Sequence, residues 1–158
     1  MIYNVSTNTV TLNLNNTTDN KLIFKVTGSI VFSMWGEITT AISANHTAAS
    51  WQIMNSGTTR TTLTNATNTL SSLGSGSVLR CLATSGAMQI SNIGTQSVLD
   101  PGASNVREMV KWVCIPQNTD TFYYILHRYT TTDAPSSGAV TYSLLWYPLD
   151  TTATVVAQ

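Results

Sequence analysis

Hydrophobic and polar residues alternate with a period of two along much of this 158-residue chain, and no stripe with the helical period of 3.6 is evident. Residues 10–15, with the sequence VTLNLN, alternate without error and predict a strand with one buried and one wet face. The following stretch 15–20 is typical of a turn, because Asn and Asp side chains bond nearby backbone groups. The pattern therefore predicts a hairpin near the N-terminus.

The same alternation runs from Lys21 to Trp35, where the even positions form one continuous apolar face. At about 3.3 Å per residue a single strand of this length would extend for about 50 Å, well beyond the usual length. The chain must therefore bend. Gly28 is the natural position for a bulge or for a corner at which the chain leaves one sheet for another.

Further strands are predicted in the middle and in the last third of the chain. The middle holds short candidates at 51–54, 60–64, 78–83 and 87–91. In the last third, an apolar run over 109–115, a strand over 122–130 and a strand over 140–146 are separated by turn residues. This order predicts two successive antiparallel hairpins.

These patterns predict an all-β chain that forms an antiparallel β-sandwich with jelly-roll-like wiring and eight or nine short strands. We expect one domain over residues 17–158, preceded by an N-terminal strand or arm over residues 1–16. The strand over 122–129 carries large side chains on both faces, although a free sandwich buries only one face of each sheet. The second face indicates an interface with a partner, for which the candidate residues are Phe122, Tyr123, Tyr124, His127, Tyr129 and Trp146.

Charged residues are few and balanced in sign, which excludes some classes of binding partner. Seven Lys or Arg residues face seven Asp or Glu residues, and 27 Thr, 17 Ser and 13 Asn supply most of the polarity. Scattered basic residues do not form a groove for nucleic acid or for an anionic membrane. Little electrostatic repulsion separates free copies, so the composition favours an ordered assembly with other copies of the chain. The N-terminus lacks the pattern of a signal peptide and no long apolar run occurs, so we expect synthesis in a cytosol.

No residue pattern indicates catalysis, a cofactor or a metal. The chain lacks a Gly-x-Ser-x-Gly elbow, and its acidic residues occur singly. Cys81, Cys114, His46 and His127 lack the paired short spacings of a zinc site. We interpret both cysteines as buried free thiols, His127 as a packed or interface residue, and His46 as part of a solvated loop.

Sugar binding is a further hypothesis, because a sugar ring can stack on an exposed Trp or Tyr side chain and this chain has several such aromatic residues. Most of these aromatics occupy positions that look inward-facing or strand-terminal, which favours a core role. The candidates for sugar stacking are Trp35, Trp51, Trp112, Trp146 and Tyr147.

Two segments, 35–42 (WGEITTAI) and 122–135 (FYYILHRYTTTDAP), together with the Thr-, Ser- and Asn-rich composition, resemble small structural proteins of tailed-bacteriophage virions. The resemblance implies a jelly roll or related sandwich, usually trimeric, used as a capsid decoration or cement protein or as a fibre head. The leading hypothesis is therefore a non-enzymatic, homotrimeric decoration protein located in the virion. Its partners would be further copies of itself and the major capsid protein or other virion proteins.

The alternative is a receptor- or glycan-binding head of a phage fibre or tail. In that case the loops at 55–59, 70–77 and 94–105 would gather at one end of the sandwich and recognise a host glycan. A third hypothesis is a cellular sugar-binding module that acts without any virus.

Overall fold

The structure, a computed structural model, describes residues 3–12, 18–42, 46–56, 60–64, 70, 73–81, 88–91, 112–116, 121–131 and 138–158. All regular secondary structure in these ranges is β-strand, and no helix occurs among them. The eleven strands are β1 (Asn4–Thr11), β2 (Thr18–Thr27), β3 (Ile30–Thr40), β4 (His46–Asn55), β5 (Arg60–Thr62), β6 (Val78–Cys81), β7 (Met88–Ser91), β8 (Val113–Ile115), β9 (Tyr123–Thr131), β10 (Ala139–Pro148) and β11 (Thr154–Ala157).

The strands form two antiparallel sheets. A six-stranded sheet has the order β1-β10-β3-β6-β7, with β8 also paired to β3, and a five-stranded sheet has the order β11-β2-β9-β4-β5. Pairing is nested: β1 with β10, β2 with β9, β3 with β6 and β8, and β4 with β5. This nesting is the wiring of a jelly roll. The predicted fold class is confirmed, although the strands outnumber the eight or nine expected, in part because the C-terminal residues add β11.

The long alternating segment folds at Gly28, as its length predicts. β2 belongs to the five-stranded sheet and β3 to the six-stranded sheet, and Gly28 joins them with a φ of 73°. Asp150, in the turn after β10, accepts hydrogen bonds from the hydroxyl and amide of Thr152 and from the amide of Ser29. The Thr152 hydroxyl and the Ser29 amide are the main causes that lower the pKa of Asp150 to about 2. The two turns are thereby joined at one end of the sandwich.

The predicted hairpins are wrong, although the predicted strands are present. β1 and β2 lie in different sheets, and β8, β9 and β10 pair with strands distant in the chain. Alternation determines which face of a strand is buried, but it does not determine the neighbour. Within the first 16 residues, β1 forms an edge strand of the same chain, in register from Asn4 opposite Trp146 to Thr11 opposite Ala139.

The core lies between the sheets, and at one edge the side chain of Asn8 connects the two sheets by hydrogen bonds. The inward positions of β3 and β10 pack against those of β2, β4 and β9, and the largest fully buried side chains include Trp51, Phe24 and Phe32. At the edge, Asn8 Nδ2 donates to the carbonyl of Ile23 at 2.7 Å and to that of Gln158 at 2.8 Å. Asn8 therefore joins β1 of one sheet to β2 and the C-terminus of the other.

Substitution of Gly28 tests whether the corner between β2 and β3 requires a glycine. A Cβ there would lie 2.8 Å from Ala153 Cα and 2.8 Å from Asp150 Oδ1, on a backbone with positive φ. We expect Gly28→Ala to lower the free energy of unfolding by about 1–3 kcal/mol, measured by urea denaturation. Gly74→Ala is the control, because nothing lies within 4 Å of its added Cβ. If both variants lost the same free energy of unfolding, a specific requirement for glycine at the corner would be contradicted.

Candidate functional site

Four ring side chains form a polar cluster in the core, which we call the histidine cluster: His46 on β4, His127 and Tyr129 on β9, and Tyr142 on β10. All four are 0% exposed. Because β4 and β9 belong to the five-stranded sheet and β10 to the six-stranded sheet, the cluster joins the two layers. Among buried side chains that are otherwise mostly apolar, it is a polar connection across the sandwich.

Hydrogen bonds and stacking hold the cluster together. His46 Nε2 and His127 Nε2 are 3.1 Å apart and share a hydrogen bond. The other ring nitrogen of His127, Nδ1, is hydrogen-bonded to the Tyr142 hydroxyl. The His46 ring stacks on Tyr129 with centroids 4.3 Å apart and planes at 18°. His46 Nδ1 is buried and has no hydrogen-bond partner among the described residues.

A bulge in β4 brings His46 into the core. In a regular strand, His46 and Trp51 would face opposite sides of the sheet, because they are an odd number of residues apart. The register of β4 against β9 shifts between Thr47 and Ser50, and Ala48 there has a φ of 52°. The shift turns both His46 and Trp51 inward. The prediction that His46 lies in a solvated loop is therefore wrong.

Burial keeps the cluster uncharged. It lowers the pKa of His46 to about 4. Burial also lowers the pKa of His127 well below its ordinary value, and the neighbouring His46 lowers it further. Burial raises the pKa of the Tyr142 hydroxyl far above its usual range. At neutral pH the two imidazoles are thus neutral hydrogen-bonding groups with no exposed atom to offer a substrate.

Three of the predicted interface residues lie in the core instead. His127 and Tyr129 belong to the histidine cluster, and Trp146 is 9% exposed, with its indole N–H donating to Ser6 Oγ at 3.1 Å. They are buried because β9 and β10 turn these positions toward the opposite sheet. Burial contradicts an interface role for Tyr129 and Trp146 at the surface of this chain, whereas for His127 it agrees with the packed alternative.

The other three predicted interface residues, Phe122, Tyr123 and Tyr124, are partly buried. Tyr123 packs against the core. Phe122 packs edge-on against Tyr124, with centroids 5.1 Å apart, and Lys25 Nζ lies 4.2 Å from the Phe122 ring centroid. Phe122, Tyr124 and Lys25 therefore form a small surface group at one end of the five-stranded sheet.

A second group of apolar side chains lies on the outer side of the six-stranded sheet. We call it the apolar face, and its residues are Tyr3, Val5, Val31, Trp35, Trp112, Cys114, Leu145 and Tyr147. Register places Tyr147, Val31 and Cys114 side by side on neighbouring strands. The Tyr3 ring lies 5.9 Å from that of Trp112 and 6.2 Å from that of Tyr147.

The apolar face combines exposed apolar side chains with few charged ones. Val5 is 61% exposed, Tyr3 48%, Trp112 44% and Trp35 37%. Among outward positions described in these strands and in β6, the charged residues are Glu37 and Arg80. Sequence reasoning missed the face, although apolar residues at odd positions of β3 and β10, opposite in parity to the core residues, indicate it.

The structure also corrects the expectations for the cysteines and the tryptophans. Cys114 is free and exposed on the apolar face, and was wrongly expected to be buried. The side chain of Cys81 is outside the described part. Among the candidates for sugar stacking, Trp51 and Trp146 are buried. The remaining candidates, Trp35, Trp112 and Tyr147, all lie on the apolar face.

Comparisons with protein-family models, with curated proteins and with solved structures find no match for this chain. Within the described ranges, no three or more His, Cys, Asp or Glu side chains come together in a way that could hold a metal ion. The same ranges contain no helix long and apolar enough to cross a membrane.

Removal of the Tyr142 hydroxyl tests whether the cluster stabilises the fold. Tyr142→Phe keeps the ring but leaves His127 Nδ1 buried without its partner. We expect a loss of about 1–3 kcal/mol in the free energy of unfolding, measured by urea denaturation. Tyr147→Phe on the outer surface is the matched control and should change stability by less than about 0.5 kcal/mol. A Tyr142→Phe variant as stable as the control would show that the hydrogen bond contributes nothing.

Proposed function

We propose that this protein is a non-enzymatic structural protein of a virion, a homotrimeric capsid decoration or cement protein that stabilises the particle. The observation that carries the proposal is the apolar face. Monomeric proteins rarely expose large contiguous apolar patches, and such patches mark sites of association. Trp35, Trp112 and Tyr3 are of the residue types enriched at the centres of protein interfaces.

The distribution of charge supports association through this face. A surface with Glu37 and Arg80 as its described charged residues has little repulsion to overcome when copies approach. Contacts between apolar and neutral polar groups are not screened by salt. Assembly through the apolar face is therefore expected to survive high ionic strength.

The assignment to a virion rests on the resemblance of two segments and on the fold. Segment 35–42 begins with Trp35 on the apolar face, and segment 122–135 contains β9. Jelly rolls are common among virus capsid proteins. In this proposal the apolar face contacts other copies of the chain, and the major capsid protein is the partner of the assembled trimer.

Matched surface variants test the association. Trp35→Ser and Val5→Ser each remove an exposed apolar side chain from the apolar face, whereas Val156→Ser removes one, 53% exposed, from the five-stranded sheet. Burying such a side chain contributes about 1.5–3 kcal/mol, so each face variant should weaken association by about tenfold to a hundredfold. Sedimentation equilibrium should find wild type and Val156→Ser as trimers and the face variants shifted to monomer. A wild-type monomer at all concentrations that binds no particle would overturn the proposal.

Cys114 offers a direct readout of contact at the face. In a Cys81→Ser background, a maleimide should label Cys114 rapidly in dilute monomer and at least tenfold more slowly in the assembly. The protection should persist in 1 M NaCl, because the contacts around Cys114 are apolar. Equal labelling rates before and after assembly would place the interface elsewhere. Protection lost at moderate salt would mean that charged residues hold the copies together.

The exposed rings of Tyr3 and Trp112, beside the half-buried ring of Tyr147, favour the second candidate, a glycan-binding head of a phage fibre or tail. Adjacent exposed aromatic rings form a platform on which sugar rings stack. A glycan array, with Trp112→Ala against Val156→Ala as control, detects such binding. Electron microscopy of the particle separates the candidates by copy number, since hundreds of copies indicate decoration and a few tens indicate a fibre or tail.

A further inference from the structure

We propose that the histidine cluster is an acid-sensitive latch between the two sheets, closed while its imidazoles are neutral and released when they take up protons. The latch joins His46 and His127 of the five-stranded sheet to Tyr142 of the six-stranded sheet. It is independent of the proposed function, because it concerns the stability of the fold and not its partners.

The hydrogen-bond geometry limits the number of protons that the two imidazoles can carry. A bond between two Nε2 atoms 3.1 Å apart requires a hydrogen on one nitrogen and a lone pair on the other. If His127 carries that hydrogen, its Nδ1 accepts from the Tyr142 hydroxyl; if His46 carries it, His127 Nδ1 donates to Tyr142. Both arrangements are built from neutral imidazoles. When both imidazoles are protonated, two N–H groups point at each other and the bond is lost.

Burial also disfavours protonation of only one of the two imidazoles. An imidazolium in the cluster would be a charge removed from water, and burial of an unpaired charge is costly. Among the described residues, the Tyr142 hydroxyl and the Tyr129 ring contact the imidazoles, and Trp51 lies opposite His127 in the register. None of these groups carries a compensating charge. The native cluster therefore excludes protons that the unfolded chain would bind.

Two charged residues of β2 are paired with members of the cluster in the strand register. Lys21 lies opposite His127, and Asp19 lies opposite Tyr129. The ammonium of Lys21 has the same sign as an imidazolium and cannot compensate its charge. Asp19 is an acidic residue at such a register position, so the test includes a variant at that residue.

The sign of the effect on stability follows from proton linkage. Burial lowers the pKa of His46 to about 4, and that of His127 also lies below the value of about 6.5 for an exposed histidine. The unfolded chain therefore binds more protons than the native protein as pH falls below 6.5. Each histidine lowers the folding equilibrium constant by up to about tenfold per pH unit, and the pair by up to about a hundredfold. Stability is complete at neutral pH and is lost on acidification.

Urea denaturation of the full chain at pH 7.5, 6.5, 5.5 and 5.0 tests the latch. The wild-type folding constant should fall by more than tenfold per pH unit below pH 6. His46→Phe keeps a ring on Tyr129 but removes one titrating group, and its slope should be no more than tenfold per pH unit. Asp150→Asn should keep the wild-type slope, because the Asp150 contribution is lost only as pH falls from about 4 to 2. Asp19→Asn should keep the wild-type dependence of the folding constant on pH or make it steeper.

Nuclear magnetic resonance of the wild-type imidazoles provides the second readout and requires no variant. Both histidines should remain neutral in the folded protein at pH 5.5, with native signals lost together on further acidification. Histidines that titrate above pH 6 while the protein stays folded would overturn the latch. A wild-type folding constant that changes less than twofold between pH 6.5 and 5.0 would also overturn it. So would a His46→Phe variant with the wild-type slope.

Discussion

The structure depends on the burial of two sheet faces against each other in a space occupied by uncharged groups. The apolar core residues of β2, β3, β4, β9 and β10 supply most of this burial. A charged group in this space would be unpaired, and burial of an unpaired charge is costly. The polar side chains that meet inside it, His46 with His127 and His127 with Tyr142, therefore pair as neutral groups. Low charge is thus a property of the inside of this protein as well as of its composition.

Each face of the six-stranded sheet departs in part from the usual pattern of apolar residues inside and polar residues outside. Its inner face carries Tyr142, a polar link to two histidines, while its outer face carries Trp35 and Tyr147. Polar groups inside a core specify which side chains meet, because each has few acceptable partners. Apolar groups on the surface gain free energy only when another surface covers them. One face of the sheet therefore helps to determine how the chain folds, and the other is the surface through which the proposed association would occur.

Much of the fold could be predicted from local patterns, and the part that could not depends on distant contacts. The strands of the last third and the corner at Gly28 follow from alternation, turn residues and segment length. Strand partners do not, since a period of two is the same whichever strand lies alongside. Of the candidate site, His127 was identified as a packed or interface residue. His46 was misplaced because its polar sequence neighbours indicate a loop, whereas the bulge at Ala48 turns its side chain into the core.

The nested pairing of the sheets has a consequence for how the chain is made. β1, at residues 4–11, pairs with β10, at residues 139–148, so β1 has no partner in its sheet until β10 has been made. Closing such distant contacts is slow, since the entropy of a long loop is lost before the contact forms. During that interval Val5 and Tyr3 have no neighbouring strand on a chain with few charges to keep nascent copies apart. The interval before β10 is made is therefore the one in which this chain is most exposed to misassembly.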